Sequence, residues 1–398
     1  MAWNHKSRIL AMAIAIQPTP GVFNAPSAPD DLIAVGTVTN GEDIISADDP
    51  TATGSVWQAP RIYLGETGNA GATAPLRGPG GTAPPAQNEW VLGRVLQAAG
   101  FAEVINDTEI TGAPTAGTTT SITLAGAASS VDDLYIGFPI QHAQLGTGLK
   151  ANSLVMDYNG TTKLATLAET AAAAMTGTDY RIPPCLVYQL GTLSGTPALL
   201  SVSIWRDKKR YDYRDCSPTS FTLDMPVANE QNAVFPSVEF ALKGLPHAEA
   251  DEVSPDLPAS LLSGLAPYRN GKFSLDKVKL GHQSTRFGVT FETAGASNAH
   301  AEYGQDAYEV MSGQRTLDMD INQMAVADFD IRSRVKNQTV ISSMSLWGTT
   351  QGNRFGFLAP ELVLDPLSPG DRNGFVNLTG NASFQGVDKG ATLAIWWD

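Results

Sequence analysis

The sequence predicts a mainly β protein: two tandem β-sandwich or partial-barrel units, each with a flanking helix, plus a small all-β module inserted in the first. Three observations lead there. The chain has 398 residues, more than one ordinary domain holds, and 42% of them are hydrophobic, enough for several cores. It carries 38 Gly and 25 Pro with abundant Ala and Thr, a mix that favours short strands and frequent turns. It also echoes itself: SVSIWRDKKRYDYRDCSPTSFTLDMP (201–226) returns as SMSLWGTTQGNRFGFLAPELVLDP (343–366).

The echo sets the domain plan. Trp205 and Trp347 are 142 residues apart, Asp224 and Asp365 are 141 apart, and Leu242 with Phe384 and Gly244 with Gly386 give 142 again. A near-constant offset marks a duplicated unit. The first unit is placed at 1–245 and the second at 246–398. Residues 107–178, rich in Ala, Thr and Gly, read as the inserted module, and Asn159-Gly160 is a hairpin turn signal.

The elements follow in order. HKSRILAMAIAIQPTPG reads as an opening strand. Lys6 and Arg8 before an apolar run imitate a signal peptide, but no convincing small-residue cleavage site follows. GETGNAGATAPLRGPGG (65–81) reads as a flexible glycine-rich loop lacking the Gly-Lys-Ser/Thr that grips phosphate. NEWVLGRVLQAAGF reads as a helix, capped by Asn88 and ended by Gly100, with a stripe of Val91, Leu92, Val95, Leu96 and Ala99. Leu200, Val202 and Ile204 alternate with serines. Phe221, Leu223 and Met225, then Phe287, Val289 and Phe291, then Leu317, Met319 and Ile321 show the same period. Each such strand is expected to bury one face and show water a polar, often acidic, face. Residues 245–267 read as an exposed connector, and 326–338 as a second, weaker helix.

Chemistry is sparse. The net charge is −14, and no clustered Lys/Arg footprint of a tight nucleic-acid binder is present. The acidity fits ordinary solubility or a surface past which nucleic acid slides. Two cysteines, Cys185 and Cys216, make neither a disulfide framework nor a zinc site and read as small buried residues. No apolar run reaches membrane-spanning length. DMDIN (318–322) opens like a calcium loop, yet Gln323 and Phe329 stand where Gly and Glu are needed. His247, Glu249 and Asp251 read as solvated. No nucleophile elbow or metal spacing occurs, so neither catalysis nor a cofactor is expected. The basic run Lys208, Lys209 and Arg210, interleaved with Asp207, Asp212 and Asp215, reads as a salt-bridged hairpin at a subunit contact.

GTAPPAQNEWVLGRVLQAAGFAE resembles the helix-bearing segment of the tail tube proteins of long-tailed bacteriophages. VSIWRDKKRYDYRDCSPTSFTLDMPVANEQNAVFPSVEFALKG resembles the strands that follow it in that family. GNRFGFLAPELVLDPLSPGDRNGFVNLTGNASFQG, with its Gly-Asp-x-x-Gly turn at 370–374, resembles the closing hairpins. The resemblance covers most of the chain outside 107–178. It implies a virion protein assembled in the bacterial cytoplasm, with six tube domains per ring and stacked rings forming the conduit for DNA ejection. A tandem form implies three chains per ring in pseudo-sixfold symmetry, and a tube with a bore implies that the inserted module 107–178 faces outward. Its partners are then other copies of itself and the tape-measure, terminator and distal tail proteins, with DNA passing unbound and no membrane involved. Asp318 and Asp320 are the candidates for lining the bore. The 65–81 segment and the N-terminal arm are candidates for ring-to-ring contact. Two alternatives stay open: a secreted or surface β-sandwich adhesin or glycan-binding module, and another phage part such as a tail terminator or capsid decoration.

Overall fold

Strand follows strand through the chain. The computed structural model describes residues 10–49, 61–190, 198–228, 234–262, 264–298, 305–372, 374–385 and 390–397. Strands β1 (Leu10–Gln17), β2 (Leu32–Ile33), β3 (Thr37–Asp48) and β4 (Arg61–Pro75) precede helix α1 (Val91–Ala98) and β5 (Phe101–Asn106). Seven short strands come next: β6 (Ile110–Gly112), β7 (Ala116–Gly117), β8 (Ser121–Thr123), β9 (Pro139–Gln141), β10 (Asn152–Asn159), β11 (Leu164–Leu167) and β12 (Tyr180–Ile182). The chain returns through β13 (Cys185–Leu190), β14 (Leu199–Arg206), β15 (Lys209–Pro226) and β16 (Ser237–Asp251) to the short helix α2 (Ala259–Leu262). Then come β17 (Lys272–Leu275), β18 (Val278–Lys279), β19 (His282–Ser297), β20 (Gln305–Asn322), α3 (Ile331–Lys336), β21 (Ile341–Trp347), β22 (Arg354–Leu364), β23 (Ser368–Arg372), β24 (Phe375–Phe384) and β25 (Thr392–Trp396).

Pairing order repeats along the chain. In the N-terminal unit β2, β1, β14, β15, β16, β4 and β3 are successive neighbours. In the C-terminal unit β18, β17, β21, β22, β24, β20 and β19 follow the same path. In each unit one long strand, β15 or β22, belongs to both an outer and an inner sheet. Both shift register in the same place: between Leu200 and Val202 on β14, and between Ile341 and Ser343 on β21. These bulges lie 341 − 200 = 141 residues apart. At that offset the echoed tryptophans are not counterparts, because one residue of slip moves a side chain to the other face. Trp205 packs outward with Ala11, Ala13 and Leu32, whereas Trp347 points inward on Tyr268 and Phe355, with ring centroids at 5.2 and 5.4 Å. Gly386 of the echo, the N-terminal arm and the start of the opening strand lie outside the described residues.

The two inner sheets are one. Strand β15 of the N-terminal unit pairs with β19 of the C-terminal unit from Ser220↔Thr290 to Pro226↔Ser284. The result runs β3-β4-β16-β15-β19-β20-β24, with the end of β22 and then β23 beyond β24. Its apolar face comes from the alternating residues Phe221, Leu223, Met225, Phe287, Val289, Phe291, Leu317, Met319 and Ile321, all buried in the main core. Helix α1 closes that core with Val91, Leu92, Val95 and Leu96. Gly100 ends the helix region at φ 88°, as its sequence position predicts. Asn88 is not its cap: Asn88 itself is left-handed at φ 65°, and Trp90 holds the cap position with no side-chain bond. Helix α3 is capped by Asp330, which accepts from the Ser333 N–H at 2.9 Å.

Three further expectations are corrected. Strands β14 and β21 are buried on both faces. On β14 the buried Ser201 donates to Gln17 and Ser203 to Asp212, so these two hydroxyls are paired inside. The 65–81 loop is in large part strand β4, whose Ala70, Ala72 and Ala74 are core. Its small residues answer to crowding: a Cβ on Gly68 would meet the Tyr213 ring at 2.5 Å, and one on Gly71 the Phe240 carbonyl at 2.8 Å. The 245–267 connector begins inside β16 with a buried Leu245 and packs Leu257 and Leu261 on the outer core.

Residues 110–182 form a separate sheet in the order β6-β12-β9-β10-β11-β8-β7. The Asn159-Gly160 turn is there, but it spans 160–163 and puts Lys163, at φ 59°, in the left-handed region. The module packs on the outer face of the C-terminal unit, sharing a core with Cys185, Val187, Met344, Leu346, Leu358 and Trp396. This second cover explains why β21 reads as a continuous buried run. At the joint Lys272 is buried against Glu169, and its ammonium also donates to the carbonyls of Lys150 and Asn152 at 2.8 Å each.

Candidate assembly interface

The inner sheet's second face is polar across both units. Strand by strand it shows Thr37 and Thr39, Thr73, Glu239, Thr222 and Asp224, Arg286 and Thr290, Thr316 and Asp318, and Asn381. These residues alternate with the buried set, so the face follows from strand periodicity alone. Arg286 sits opposite both Asp224 and Asp318, and its guanidinium lies 3.9 Å from Glu239. Burial pushes the Asp224 carboxyl above its ordinary range, against the pull of Arg286. Acidic residues thus surround one guanidinium on a surface of hydroxyls and backbone.

The sequence-selected residues divide. Asp318 and Asp320 both project from the polar face of β20. Asp320 is engaged, accepting from Arg372 and from Asn377 at 2.8 Å each under the β23–β24 hairpin. Asp318 is half-buried beside Arg286. Lys208, Lys209 and Arg210 form the β14–β15 turn on the outer sheet, far along the chain fold from that face. Lys209 pairs with Glu249, and Arg210 pairs with Asp212 at 3.1 Å and with Glu252. His247 stacks on Phe23 with centroids 4.4 Å apart. Cys185 and Cys216 are free and buried, and burial pushes both thiols far above their ordinary value. Among the described residues no group of three His, Cys, Asp or Glu is arranged around a metal position, and no helix is long and apolar enough to cross a membrane.

The sequence reading missed the open margins of the inner sheet and the apolar surface beside them. Among the described residues, the inner sheet ends in two margins paired on one side only: β3, and the end of β22 with β23. Beyond the body, the β3–β4 hairpin is exposed on both faces and carries Ile44, Ile45, Ile62, Tyr63 and Leu64, with Ile44 66% exposed. At the opposite margin Phe375 is 78% exposed, and a groove of about 590 Å³ opens between α3 and the β23–β24 hairpin. Its floor includes Met324, Phe329, Ile331, Val335, Leu367 and Leu378. Unpaired margins and apolar surface of this extent are candidate sites of association. A sequence signal for them exists in the Ile-Ile and Ile-Tyr-Leu runs at 44–45 and 62–64, which lie in otherwise polar stretches.

No protein family matches the chain, and no curated protein is similar to it.

Proposed function

We propose that the protein is a tail tube subunit whose tandem units assemble, three chains to a ring, into a stacked hollow conduit for DNA. One observation carries this reading: the β15·β19 seam. It joins the two units of one chain edge to edge, and it leaves at the chain's two margins the same pair of edges that it consumes inside. The margin of β3 is the counterpart of β19, and that of β22–β23 the counterpart of β15. A second copy set on by the same operation meets β22–β23 with its own β3. Such a contact is heterologous and head-to-tail, and it ends only when the ring closes.

Each chain supplies eight inner strands, four per unit, so three chains give 3 × 8 = 24. At about 4.8 Å per strand the backbone ring is roughly 37 Å across, and wider once the strands tilt. Closure removes both open edges. The polar face turns inward, and each ring carries 3 × −14 = −42 formal charges. A wall of hydroxyls and carboxylates with Arg286 internally paired offers DNA no deep minimum, so it slides. The module, packed on the outer sheet, decorates the outside. Negative-stain microscopy of the purified protein tests the reading: rings or tubes with a central hole are expected, and solid globules at every concentration overturn it.

A further inference from the structure

Two long hairpins run past the body of the inner sheet, and the chain treats them differently. The β19–β20 hairpin packs on its own chain: Tyr308 is buried, its carbonyl accepts from the Ser217 hydroxyl, and the Lys243 ammonium lies 4.8 Å from its ring centroid. Among the described side chains of that hairpin, Met311 is the one large hydrophobic left exposed. The β3–β4 hairpin behaves otherwise. Strand β4 pairs with β16 only from Gly68 to Pro75, so residues 61–67 and the facing part of β3 leave the sheet as a two-stranded arm. At about 3.3 Å per residue the arm reaches roughly 23 Å. Ile44, Ile45, Ile62 and Leu64 are exposed on it. Glu42, Asp43, Asp48 and Glu66 outnumber its one described cation, Arg61.

The groove between α3 and β24 has the complementary make-up. Met324, Phe329, Leu367 and Leu378 give it apolar walls, and Arg332 and Lys336 of α3 stand on its rim. The carboxylate among its lining residues, Asp330, is engaged in capping the Ser333 N–H. The N-terminal unit has no equal to it. There the matching place, between the end of β4 and the start of α1, is narrowed to about 170 Å³, with Leu265 bridged to Arg77 and Leu261 in the wall. Each chain thus presents one arm and one wide groove among its described residues.

Strand register sets arm and groove at opposite ends of the sheet. One row of partners runs from Thr73 through Glu239, Thr222, Gly288 and Thr316 to Ser383. The arm departs from that row beyond Gly68 in one direction. Asn322, paired with Asn377, lies six residues from it in the other, and Met324 and the β23–β24 turn lie farther still. The arm prolongs the β3 margin and the groove flanks the β23–β24 margin, so both adjoin the same chain-to-chain seam.

We propose that the β3–β4 arm of one copy lies in the α3–β24 groove of a copy in the next ring, which joins successive rings at three points and not six. This deepens the ring reading and rests on it. The occupant is a second copy of this chain because the apolar surfaces match, the acidic arm meets a basic rim, and a stack brings the two ends of the seam together. The β19–β20 hairpin, spent on the seam inside the chain, takes no part.

The test is the full chain with Ile45→Cys and Met324→Cys, assembled and then treated with a short bis-maleimide. The native cysteines are buried and stay silent. Head-to-tail linkage along the stack is expected to give a ladder extending past three chains on denaturing gels, from the double variant and neither single one. Ile45→Asp/Ile62→Asp is expected to raise the protein concentration needed for tubes at least tenfold while single rings and the circular dichroism of the folded chain persist. Met311→Asp is expected to leave that threshold unchanged. Linkage that stops at three chains, linkage within one chain, tubes that form with no linkage, or an unshifted threshold in the double aspartate variant each overturn the joint and leave the ring reading standing. A Met311→Asp threshold raised as far as that of the double variant overturns the threefold coupling. A wild-type chain that stays monomeric at every concentration overturns both readings.

Discussion

Lys272→Met measures how firmly the inserted module is fastened to the C-terminal unit. The Lys272 side chain is 4% exposed and that of Glu169 fully buried. The substitution keeps the volume and removes the charge. It orphans the Lys150 and Asn152 carbonyls and leaves Glu169 with only Lys279, 3.8 Å away and 55% exposed. Losing one partner of a buried pair costs about 3–5 kcal/mol. The remaining pull of Lys279 is solvent-screened, which places the loss at ~3–4 kcal/mol. Burial already raises the Glu169 carboxyl above its ordinary 4.5, with Lys272 opposing, and removing Lys272 raises it further. A raised folded-state value in an acid means that stability is highest below the unfolded value and is lost as pH climbs through the window above it. The deficit of the variant is therefore smallest near pH 4.5 and largest at neutrality. Urea unfolding at several pH values, followed by tryptophan fluorescence, reads both quantities. The double variant Glu169→Met/Lys272→Met is expected to recover more than half the loss. A deficit under ~1 kcal/mol at pH 7, or one that grows on acidification, refutes the argument.

Other outcomes are equally specific. Gly93→Ala gains up to ~1 kcal/mol of helix propensity in α1, yet its Cβ would overlap the hydroxyl of buried Tyr188, which donates to Glu103 at 2.6 Å, so a net loss of about 1–3 kcal/mol is expected by thermal melting. His282, stacked on Phe273 at 4.3 Å, has its pKa driven down to about 3 by burial and by Arg372. A base so depressed takes up its proton in the unfolded chain first, so stability is lost as pH falls below 6.5, at up to ~1.4 kcal/mol per unit until about 3. His282→Phe is expected to flatten that slope. On the proposed tail-tube reading, Asp318→Lys, which reverses a charge on the polar face without breaking the Asp320–Arg372 pair, is expected to slow genome ejection while tubes still form; unchanged ejection rates contradict a bore-lining place for Asp318.

Much of the β texture was legible because period-2 alternation records burial on one face. Phe221, Leu223 and Met225, and Leu317, Met319 and Ile321, were placed in the core from sequence and lie there. Alternation fails where a second layer covers the strand. The serines of β14 and β21 look solvent-facing, but they sit under Gln17 and the inserted module. Composition misled at 65–81, where Gly and Ala signal close packing against Tyr213 and Phe240 and not flexibility. The echo disclosed a repeated order of pairing but misassigned its landmark, since Trp205 and Trp347 face opposite ways. The candidate interface was the least legible part. Open margins and the groove arise from which strands lack a neighbour, a property of topology that no local pattern carries. Asp318 and Asp320 looked alike in DMDIN, and only tertiary contact with Arg372 sets them apart.

The most direct measurement is a cryo-electron microscopy reconstruction of the assembled protein. Three copies per ring, each β3 hydrogen-bonded to the β22–β23 margin of its neighbour around a continuous polar-lined wall, is the predicted result. A particle in which either margin stays unpaired, or in which copies meet through the polar face, contradicts the account.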